Sequence, residues 1–335
     1  MEVNAYAVMS AKSELVPFKY DAEPLGASEV EVRVQYCGVC HSDLGMIDND
    51  YGMSTYPLVP GHEVVGEVTA VGQQVTEIKV GQRVGVGWQS GSCHVCRYCH
   101  RGKEHLCVNE PEYTIIGRNG GWADYVRAQA DFTVPIPDKL DPSIAGPLMC
   151  AGTTVWTPMM HYGVRPGMKT AVLGIGGLGH IAVQFLAKFG TEVTAISSTR
   201  NKEEEAHQLG ASHVIATRGT DELAKAAKQF DFILSTVSAD VDWGQYVEAL
   251  APEGRLCIVG IPESDLKFPA FAIISGERSV SGGSSGAPSD TTAMLEFCAN
   301  HGVAPMCEQF DIKDVNQAVE HVRSGKVRYR AVLAH

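Results

Sequence analysis

A strand–glycine turn–helix segment in the second half of the chain limits its fold more than any other feature. Thr170–Leu173 is a short apolar run typical of a buried strand. It leads into Gly174-Ile175-Gly176-Gly177-Leu178-Gly179, which matches G-x-G-x-x-G. An apolar-periodic helical segment follows from His180 to Phe189 and ends at Gly190. Because the motif follows a strand and opens a helix, it predicts a βαβ unit that binds a dinucleotide.

The glycines of this motif have separate expected roles. Gly174 permits the tight turn, Gly176 lets the backbone approach a pyrophosphate, and Gly179 allows the helix to pack closely on the strand. Gly177 and Leu178 complete the predicted phosphate site, where the helix N-terminus offers N–H donors. The alternative is a glycine-rich connection without a ligand, which the βαβ context disfavours.

The same strand–helix alternation continues beyond the motif. A helix is predicted from Asn201 to Leu209, closed by Gly210. Further strands are predicted at Glu192–Ile196, His213–Ile215, Phe232–Leu234 and Arg255–Val259. Alternating strands and helices at this spacing predict an α/β fold with a doubly wound, Rossmann-type parallel sheet.

The first 150 or so residues have a different pattern. Short runs at Val30–Val34, Glu63–Val71 and Gln82–Val86 predict strands of a small barrel or sandwich. The last 50 or so residues return to mixed structure, and we expect them to fold back onto this first region. We therefore predict one domain from residues 1–151 and 286–335, and a dinucleotide-binding domain from 152–285. The Ser- and Gly-rich stretch 279–289 is predicted to be a functional loop.

The end of the second predicted strand indicates which dinucleotide binds. An NAD-specific site usually has an acidic residue there, which binds the ribose 2′-hydroxyl. This chain instead has Ser197, Ser198, Thr199, Arg200 and Lys202, with no carboxylate within the run to repel a phosphate. Hydroxyl, guanidinium and ammonium groups predict binding of the 2′-phosphate of NADP(H). The alternative is that Arg200 lies on a solvated helix start.

Four cysteines are spaced as metal ligands. Cys93, Cys96, Cys99 and Cys107 form C-x2-C-x2-C-x7-C, and four thiolates close a tetrahedral shell around a structural zinc. An iron–sulfur cluster is disfavoured by the seven-residue gap and by the absence of proline after Cys107. A zinc ribbon that binds nucleic acid is disfavoured by the acidic charge balance described below.

A second set of metal-ligand types is scattered along the chain. Cys40, His62 and Cys150 supply the Cys2His donor set of an open catalytic zinc site, and Glu63 follows the histidine. A lone buried cysteine or histidine is usually structural, so each residue is weak evidence alone. Their occurrence together with the dinucleotide motif favours the metal interpretation. The remaining cysteines, which lack partner spacing, are interpreted as small buried apolar residues: Cys37, Cys257, Cys298 and Cys307.

Charge and composition exclude other classes of protein. The 335 residues are 44% hydrophobic and 20% charged, which is typical of a globular protein. A formal net charge of −12 disfavours a nucleic-acid partner, since phosphate binding needs clustered Lys and Arg. We see no signal peptide and no apolar stretch near the ~20 residues of a membrane helix. The expected location is the cytoplasm, where ten cysteines indicate metal binding or catalysis rather than disulfides.

Taken together, these motifs resemble those of the zinc-containing medium-chain alcohol dehydrogenases. The chain is most similar to the cinnamyl-alcohol-dehydrogenase-like branch and its bacterial NADP-dependent aldehyde reductases of broad specificity. The resemblance covers essentially the whole chain through C-G-V-C-H-S-D-L, Y-P-L-V-P-G-H-E-V-V-G, the four-Cys lobe, A-G-P-L-M-C-A-G, G-I-G-G-L-G-H, S-V-S-G and K-V-R-Y-R. It implies a GroES-like barrel as the first domain and a homodimer or higher homo-oligomer.

The resemblance also implies roles for single residues. Cys40, His62 and Cys150 would bind the catalytic zinc, which Glu63 would approach transiently, and Asp43 would fix the tautomer of His62. Ser42 would pass the substrate proton. The residues expected at the cofactor are His41 and Arg330 near the pyrophosphate, Thr154 against the nicotinamide, and Val259 and Ser281 as further contacts.

One position departs from the family pattern. Many relatives have a histidine three residues after the relay Ser or Thr, whereas this chain has Gly45. A relay cannot end in a histidine at this position, so water or the ribose hydroxyls would have to carry the proton. The expected activity is NADPH-dependent, zinc-assisted reduction of small aldehydes to primary alcohols. The alternatives are a polyol dehydrogenase, a zinc-free quinone or enone reductase of the same superfold, and a zinc-ribbon protein without enzymatic activity.

Overall fold

A computed structural model describes residues 1–335 of the chain. The chain divides into two compact units. One comprises Met1–Thr153 and Gly286–His335, and the other comprises Thr154–Ser285.

The strands are β1 (Glu2–Val8), β2 (Leu15–Asp21), β3 (Glu29–Val39), β4 (Val64–Val71), β5 (Arg83–Val86), β6 (Gln89–Gly91), β7 (Glu112–Tyr113), β8 (Tyr125–Gln129), β9 (Thr133–Pro135), β10 (Lys169–Leu173), β11 (Glu192–Ser197), β12 (His213–Ala216), β13 (Phe230–Ser235), β14 (Leu250–Ile258), β15 (Ser279–Gly282), β16 (Cys307–Asp311) and β17 (Arg330–Ala334). The α-helices are α1 (His41–Asp48), α2 (Pro142–Ala145), α3 (Ala151–His161), α4 (Gly179–Lys188), α5 (Glu203–Gln208), α6 (Glu222–Lys225), α7 (Trp243–Ala249), α8 (Ala270–Ile274), α9 (Pro288–His301) and α10 (Val315–Arg323).

The unit Thr154–Ser285 is built on a six-stranded sheet with the order β12-β11-β10-β13-β14-β15. Every neighbouring pair is parallel. The order reverses at β10, from which the chain proceeds first to one side and then to the other, as in a doubly wound fold. The α/β prediction is confirmed, and the five strands predicted in this half are all present.

Several element boundaries differ from the prediction, and two of them lie in this unit. The helix expected from Asn201 to Leu209 is shorter, spanning Glu203–Gln208. The strand expected from Arg255 begins earlier, at Leu250.

The prediction of one functional loop over 279–289 is wrong for both ends of that stretch. Ser279–Gly282 forms β15, which pairs in parallel with Arg255–Ile258 of β14. Pro288 already begins α9. Ser and Gly have low strand propensity, but backbone pairing along the edge of an existing sheet overrides that preference.

The other unit is β-rich, as predicted. Its main sheet has the order β16-β17-β3-β4-β5-β9, and β8 also pairs with β3. The central strand β3 pairs antiparallel with β4, β8 and β17, so the C-terminal strand β17 belongs to the same sheet as β3 and β4. The strands β1 and β2 form a separate two-stranded sheet. The inward side chains form a continuous apolar core to which α1 and α10 also contribute; among its fully buried members are Val32, Met46, Val64, Trp122 and Leu333.

No helix of the chain combines the length and the apolar character that crossing a membrane requires.

Candidate metal and cofactor sites

The four cysteines predicted as structural ligands form one cluster. Cys99 begins a short 3₁₀ turn at Cys99–Arg101, and Cys107 follows another at Glu104–Leu106, so two tight turns bring the ligands together. The Sγ atoms of Cys96 and Cys99 lie 3.5 Å apart, as do those of Cys93 and Cys107, and those of Cys93 and Cys99 lie 4.0 Å apart. All four are free thiols rather than disulfides.

These separations fit a zinc ion. A regular tetrahedron with Zn–S bonds of about 2.3 Å places its sulfurs about 3.8 Å apart. Backbone N–H groups of Cys99 and Val108 lower the pKa of Cys96 to about 6, which favours the thiolate that a metal needs. Since all four donors are protein ligands, the site would have no open position, and its role would be structural.

The scattered ligand types also come together. One ligand atom from each of Cys40, His62, Glu63 and Cys150 lies within 4.8 Å of the others. Cys40 precedes α1, His62 and Glu63 precede β4, and Cys150 follows the 3₁₀ turn Gly146–Met149. His62 Nε2 lies 3.3 Å from Cys150 Sγ, and the two thiol sulfurs lie 3.9 Å apart. Three separate chain segments thus meet at one point.

Asp43 holds this cluster in place. Its side chain is fully buried and accepts three hydrogen bonds. Oδ2 accepts from the backbone N–H of Cys40 at 2.9 Å, and Oδ1 accepts from the backbone N–H of Gly61 at 2.9 Å and from His62 Nδ1 at 2.8 Å. Because a carboxylate only accepts, Nδ1 carries the proton and the lone pair of Nε2 faces the two sulfurs. One carboxylate therefore sets the position of two of the four clustered residues.

Glu63 and Arg330 form a buried ion pair beside the cluster. Their side chains are 0% and 3% exposed, and Arg330 Nη2 donates to Glu63 Oε1. Burial raises the pKa of Glu63 to about 7, although Arg330 opposes the shift. Glu63 Oε2 and Arg330 Nε are buried without a hydrogen-bond partner. Arg330, expected near the cofactor pyrophosphate, here contacts Glu63.

The donor set fits a catalytic metal ion. Two thiols and an imidazole are the ligands of an open zinc site, and the unpartnered Glu63 oxygen is a further carboxylate donor close by. Hydrogen bonding with Cys150 lowers the pKa of the Cys40 thiol well below its usual value, so one sulfur is readily a thiolate. A buried unpaired carboxylate oxygen is costly, and a bound cation would satisfy the one on Glu63.

The glycine loop has the backbone that its sequence predicted. Gly174 adopts φ +91°, in the left-handed region that favours glycine. A Cβ at Gly179 would lie 1.8 Å from the carbonyl oxygen of Gly174, so only glycine lets α4 begin this close to β10. At Gly176 no atom lies within 4 Å of the added Cβ. That open cradle at the start of α4 fits a pyrophosphate, with Gly177 and Leu178 between the two glycines.

The candidate 2′-phosphate residues follow β11, which ends at Ser197. Arg200 donates to Glu203 Oε1 at 2.6 Å and to Glu222 Oε2 at 2.8 Å, so its guanidinium is paired with two carboxylates. Protein carboxylates therefore neutralise Arg200, and a bound phosphate is not needed to balance its charge. Lys202 Nζ donates to the carbonyl oxygen of Ile175 at 2.7 Å and thereby joins this segment to the glycine loop. Ser198 and Thr199 lie in the turn before α5.

The remaining predicted residues lie in both units. His41 and Ser42 begin α1, beside Cys40. Thr154 lies in α3. Val259 directly follows β14 and Ser281 lies in β15, on the parallel sheet whose strand ends bind ligands in doubly wound folds.

Two aromatic residues, Trp88 and Tyr113, form a series of ring contacts that starts at His62. The Trp88 ring meets the His62 ring edge-on at 5.0 Å between centroids, and Tyr113 lies 5.8 Å from Trp88. Trp88 thus borders the metal-ligand cluster. No signal in the linear sequence pairs it with His62, since β4 and β5 separate the two along the chain.

Comparison with known proteins identifies the family. Residues 26–138 match the family model described as the alcohol dehydrogenase GroES-like domain, and residues 177–300 match the zinc-binding dehydrogenase model. The chain is 47% identical to the aldehyde reductase AdhA of Synechocystis sp., over 99% of both proteins. It is 39% identical to the NADP-dependent alcohol dehydrogenase C of Mycobacterium bovis, over 99% of this chain and 98% of that protein.

A solved structure agrees with these matches. A cinnamyl alcohol dehydrogenase from Sorghum bicolor superimposes with a TM-score of 0.95 at 38% identity, over 100% of this chain and 98% of that one. The chain belongs to the zinc-binding alcohol dehydrogenase family with a GroES-like domain. The resemblance stated from the motifs is therefore confirmed, as is the fold class of a Rossmann sheet with a GroES-like barrel.

Proposed function

We propose that this chain is a zinc-dependent enzyme that reduces aldehydes to primary alcohols with NADPH and also catalyses the reverse oxidation. The observation that carries the proposal is the convergence of Cys40, His62 and Cys150 around one point, with Asp43 orienting the histidine. The glycine cradle before α4 supports dinucleotide binding. The relatives named above are an aldehyde reductase and an NADP-dependent alcohol dehydrogenase, which supports both the reaction and the cofactor.

The two metal sites have different proposed tasks. The structural zinc would be held by Cys93, Cys96, Cys99 and Cys107. The catalytic zinc would be held by Cys40, His62 and Cys150, and Glu63 lies close enough to become a transient ligand of that ion. A catalytic zinc supplies Lewis-acid polarisation of the substrate carbonyl when it is bound. Asp43 would orient the His62 lone pair toward that ion, and contacts of this kind are worth about 10- to 100-fold in metal affinity or activity.

The chain's own residues would then handle the cofactor and the proton. Gly174, Gly176, Gly177, Leu178 and Gly179 would bind the pyrophosphate by backbone N–H groups at the start of α4. Ser42, two residues after Cys40, would give its hydroxyl proton to the substrate oxygen as the carbonyl becomes an alcohol. Further cofactor contacts are proposed for His41, Thr154, Val259, Ser281 and Arg330.

Discrimination of NADPH from NADH is assigned to the segment after β11. Ser197, Ser198, Thr199 and Lys202 offer hydroxyl and ammonium groups to a 2′-phosphate. Arg200 would contribute only by exchanging a carboxylate partner, Glu203 or Glu222, for the phosphate. Selectivity then depends on a competition between these carboxylates and the cofactor.

We also propose the roles of the two domains, the partners of the protein, its location and its oligomeric state. We assign catalysis to residues 1–151 and 286–335, and dinucleotide binding to 152–285. The protein is proposed to act on small molecules, without a nucleic-acid or membrane partner, as a cytoplasmic homodimer or higher homo-oligomer.

A panel of aldehydes and primary alcohols assayed with both cofactors tests this function. We expect aldehyde reduction with NADPH, weaker activity with NADH, and slower alcohol oxidation with NADP⁺. Reduction of quinones or enones without aldehyde reduction would contradict the proposal, as would an exclusive preference for polyols with NAD⁺. Absence of any cofactor-dependent turnover would favour a binding protein.

A further inference from the structure

Gly45 lies where many relatives carry the relay histidine, and the structure shows what occupies the neighbouring space. Gly45 is three residues after Ser42 on α1, so both lie on the same helix face. A Cβ added to Gly45 would lie 2.7 Å from Cε2 and Cζ of Tyr51 and 2.8 Å from its hydroxyl oxygen. The position is therefore filled by an aromatic ring from another part of the chain, not by solvent.

The turn after α1 places Tyr51 there. The backbone N–H of Asp50 donates to Gly45 O at 2.9 Å, and that of Gly52 donates to Asn49 O at 3.1 Å, closing a turn around Tyr51. Asn49, in the left-handed conformation, accepts the backbone N–H of Ser54 on its side-chain oxygen at 3.1 Å. The segment is thus folded back on the helix by specific hydrogen bonds, and the Tyr51 ring is held over Gly45.

Tyr51 lies between the Ser42 side of α1 and solvent. Its hydroxyl oxygen is 2.8 Å from the Cβ position of Gly45, one helical turn from the half-buried Ser42, yet 36% of the residue is exposed. Partial burial raises the pKa of Tyr51 above its usual value, against the lowering effect of the Ser42 side chain. The phenol therefore stays protonated at neutral pH and can both donate and accept a proton.

We propose that Tyr51 replaces the missing histidine as the residue that passes protons between Ser42 and solvent. The inference rests on the function proposed above. In the reducing direction the substrate oxygen takes a proton from Ser42 Oγ, Ser42 takes one from Tyr51 Oη, and Tyr51 takes one from water. One solvent proton is consumed and both hydroxyls are restored. Alcohol oxidation runs the same path in reverse. Because Tyr51 acts through Ser42, it is a positioning residue rather than a catalytic one.

The contact itself can be tested without turnover. In protein carrying ¹³C at the tyrosine Cζ, the resonance absent from the Tyr51→Phe variant is that of Tyr51. Replacing Ser42 by alanine should shift this resonance at neutral pH because it removes the proposed hydrogen-bond partner, while leaving the other tyrosine resonances in place. A Tyr51 resonance unmoved by Ser42→Ala would overturn the proposal.

The relay is tested by single-turnover NADPH oxidation in H₂O and D₂O. Tyr51→Phe keeps the ring and loses the hydroxyl, so we expect a rate about tenfold lower or more, a changed solvent isotope effect and a nearly unchanged KM for aldehyde. Tyr20→Phe, in β2, is the matched control and should behave like the wild type. An unchanged rate and isotope effect in Tyr51→Phe, or a loss confined to KM, would assign the ring to packing alone and refute the relay.

A histidine at position 45, as in many relatives, should restore the rate that is lost when Tyr51 is removed. Tyr51→Ala removes the ring that blocks a side chain at position 45. Adding Gly45→His to Tyr51→Ala should restore part of the lost rate, whereas adding Gly45→Ala should not. Equal rates for the two double variants would contradict a relay at this position. If the wild type reduces no aldehyde, the proposed function fails, while the resonance test still decides whether Ser42 and Tyr51 are bonded.

Discussion

Asp43→Asn is the substitution for which the structure gives the most detailed expectation. The carboxylate accepts hydrogen bonds from the backbone N–H groups of Cys40 and Gly61 and from His62 Nδ1. An asparagine has one oxygen in place of two. If that oxygen faces Gly61 and His62, the amide NH₂ faces the Cys40 N–H, and two donors oppose each other in a fully buried position.

The expected magnitudes follow from these contacts. Losing one buried hydrogen bond to a charged group costs about 1.5–3 kcal/mol of folding free energy. The bond from His62 Nδ1 remains but becomes neutral and weaker, so the imidazole is a poorer metal ligand. Removing such a contact costs about 10- to 100-fold in metal affinity, which is about 1.4–2.7 kcal/mol of binding free energy.

Two measurements separate these effects. Denaturant unfolding of the metal-free protein measures the change in the free energy of unfolding. Competition for zinc with a chelator measures the zinc affinity of the catalytic site. Asp48→Asn is the matched control on the same helix, since Asp48 pairs with Arg323, at 2.7 Å between Oδ1 and Nη2, and the Asp48 side chain is 12% exposed. Losing that pair should lower stability and leave zinc affinity unchanged, because Asp48 bonds to Arg323 rather than to a residue of the metal-ligand cluster. Wild-type stability and zinc affinity in Asp43→Asn would refute the role given to this carboxylate.

Other substitutions test other parts of the account. The enzyme should prefer NADPH, and Ser197→Asp should reverse that preference by opposing the 2′-phosphate. Arg200→Ala should weaken NADPH binding with little effect on NADH binding. A wild-type kcat/KM with NADH that equals or exceeds the value with NADPH would show that the segment after β11 consists of ordinary turn residues. Replacing Cys93 or Cys107 by serine should lower Tm and leave one zinc per chain, because the thiolate site contributes to folding; two retained zinc ions in metal analysis would contradict this. Gly45→His alone should lower Tm because its Cβ would lie 2.7 Å from the Tyr51 ring, and an unchanged Tm would mean that the ring moves aside freely.

The parts of the fold that could be predicted from sequence are those encoded locally. Apolar runs such as Thr170–Leu173 and the glycine spacing after them determine a strand, a turn and a helix within one segment. The four-Cys lobe is equally local, since its ligands span only fifteen positions from Cys93 to Cys107. In each case the residues that define the feature are also the ones that contact each other.

Features formed by distant segments could not be read in the same way. His62 and Cys150 are 88 positions apart, and no spacing in the sequence pairs them. Only their donor types, the dinucleotide motif and the family resemblance grouped them. Glu222, which neutralises Arg200, comes 22 positions later, so a run that lacks carboxylates in sequence does not lack them in space. The ring of Tyr51 over Gly45 likewise depends on the turn that follows α1.

The central claim is that Cys40, His62 and Cys150 form the metal site on which aldehyde reduction depends. The most direct measurement compares NADPH-dependent aldehyde turnover by wild type and Cys40→Ala, with the zinc content of each and with folding verified by circular dichroism. We predict two zinc ions per wild-type chain, and a folded Cys40→Ala protein that retains the structural zinc and loses turnover. Full turnover by Cys40→Ala that holds no catalytic zinc would contradict the account.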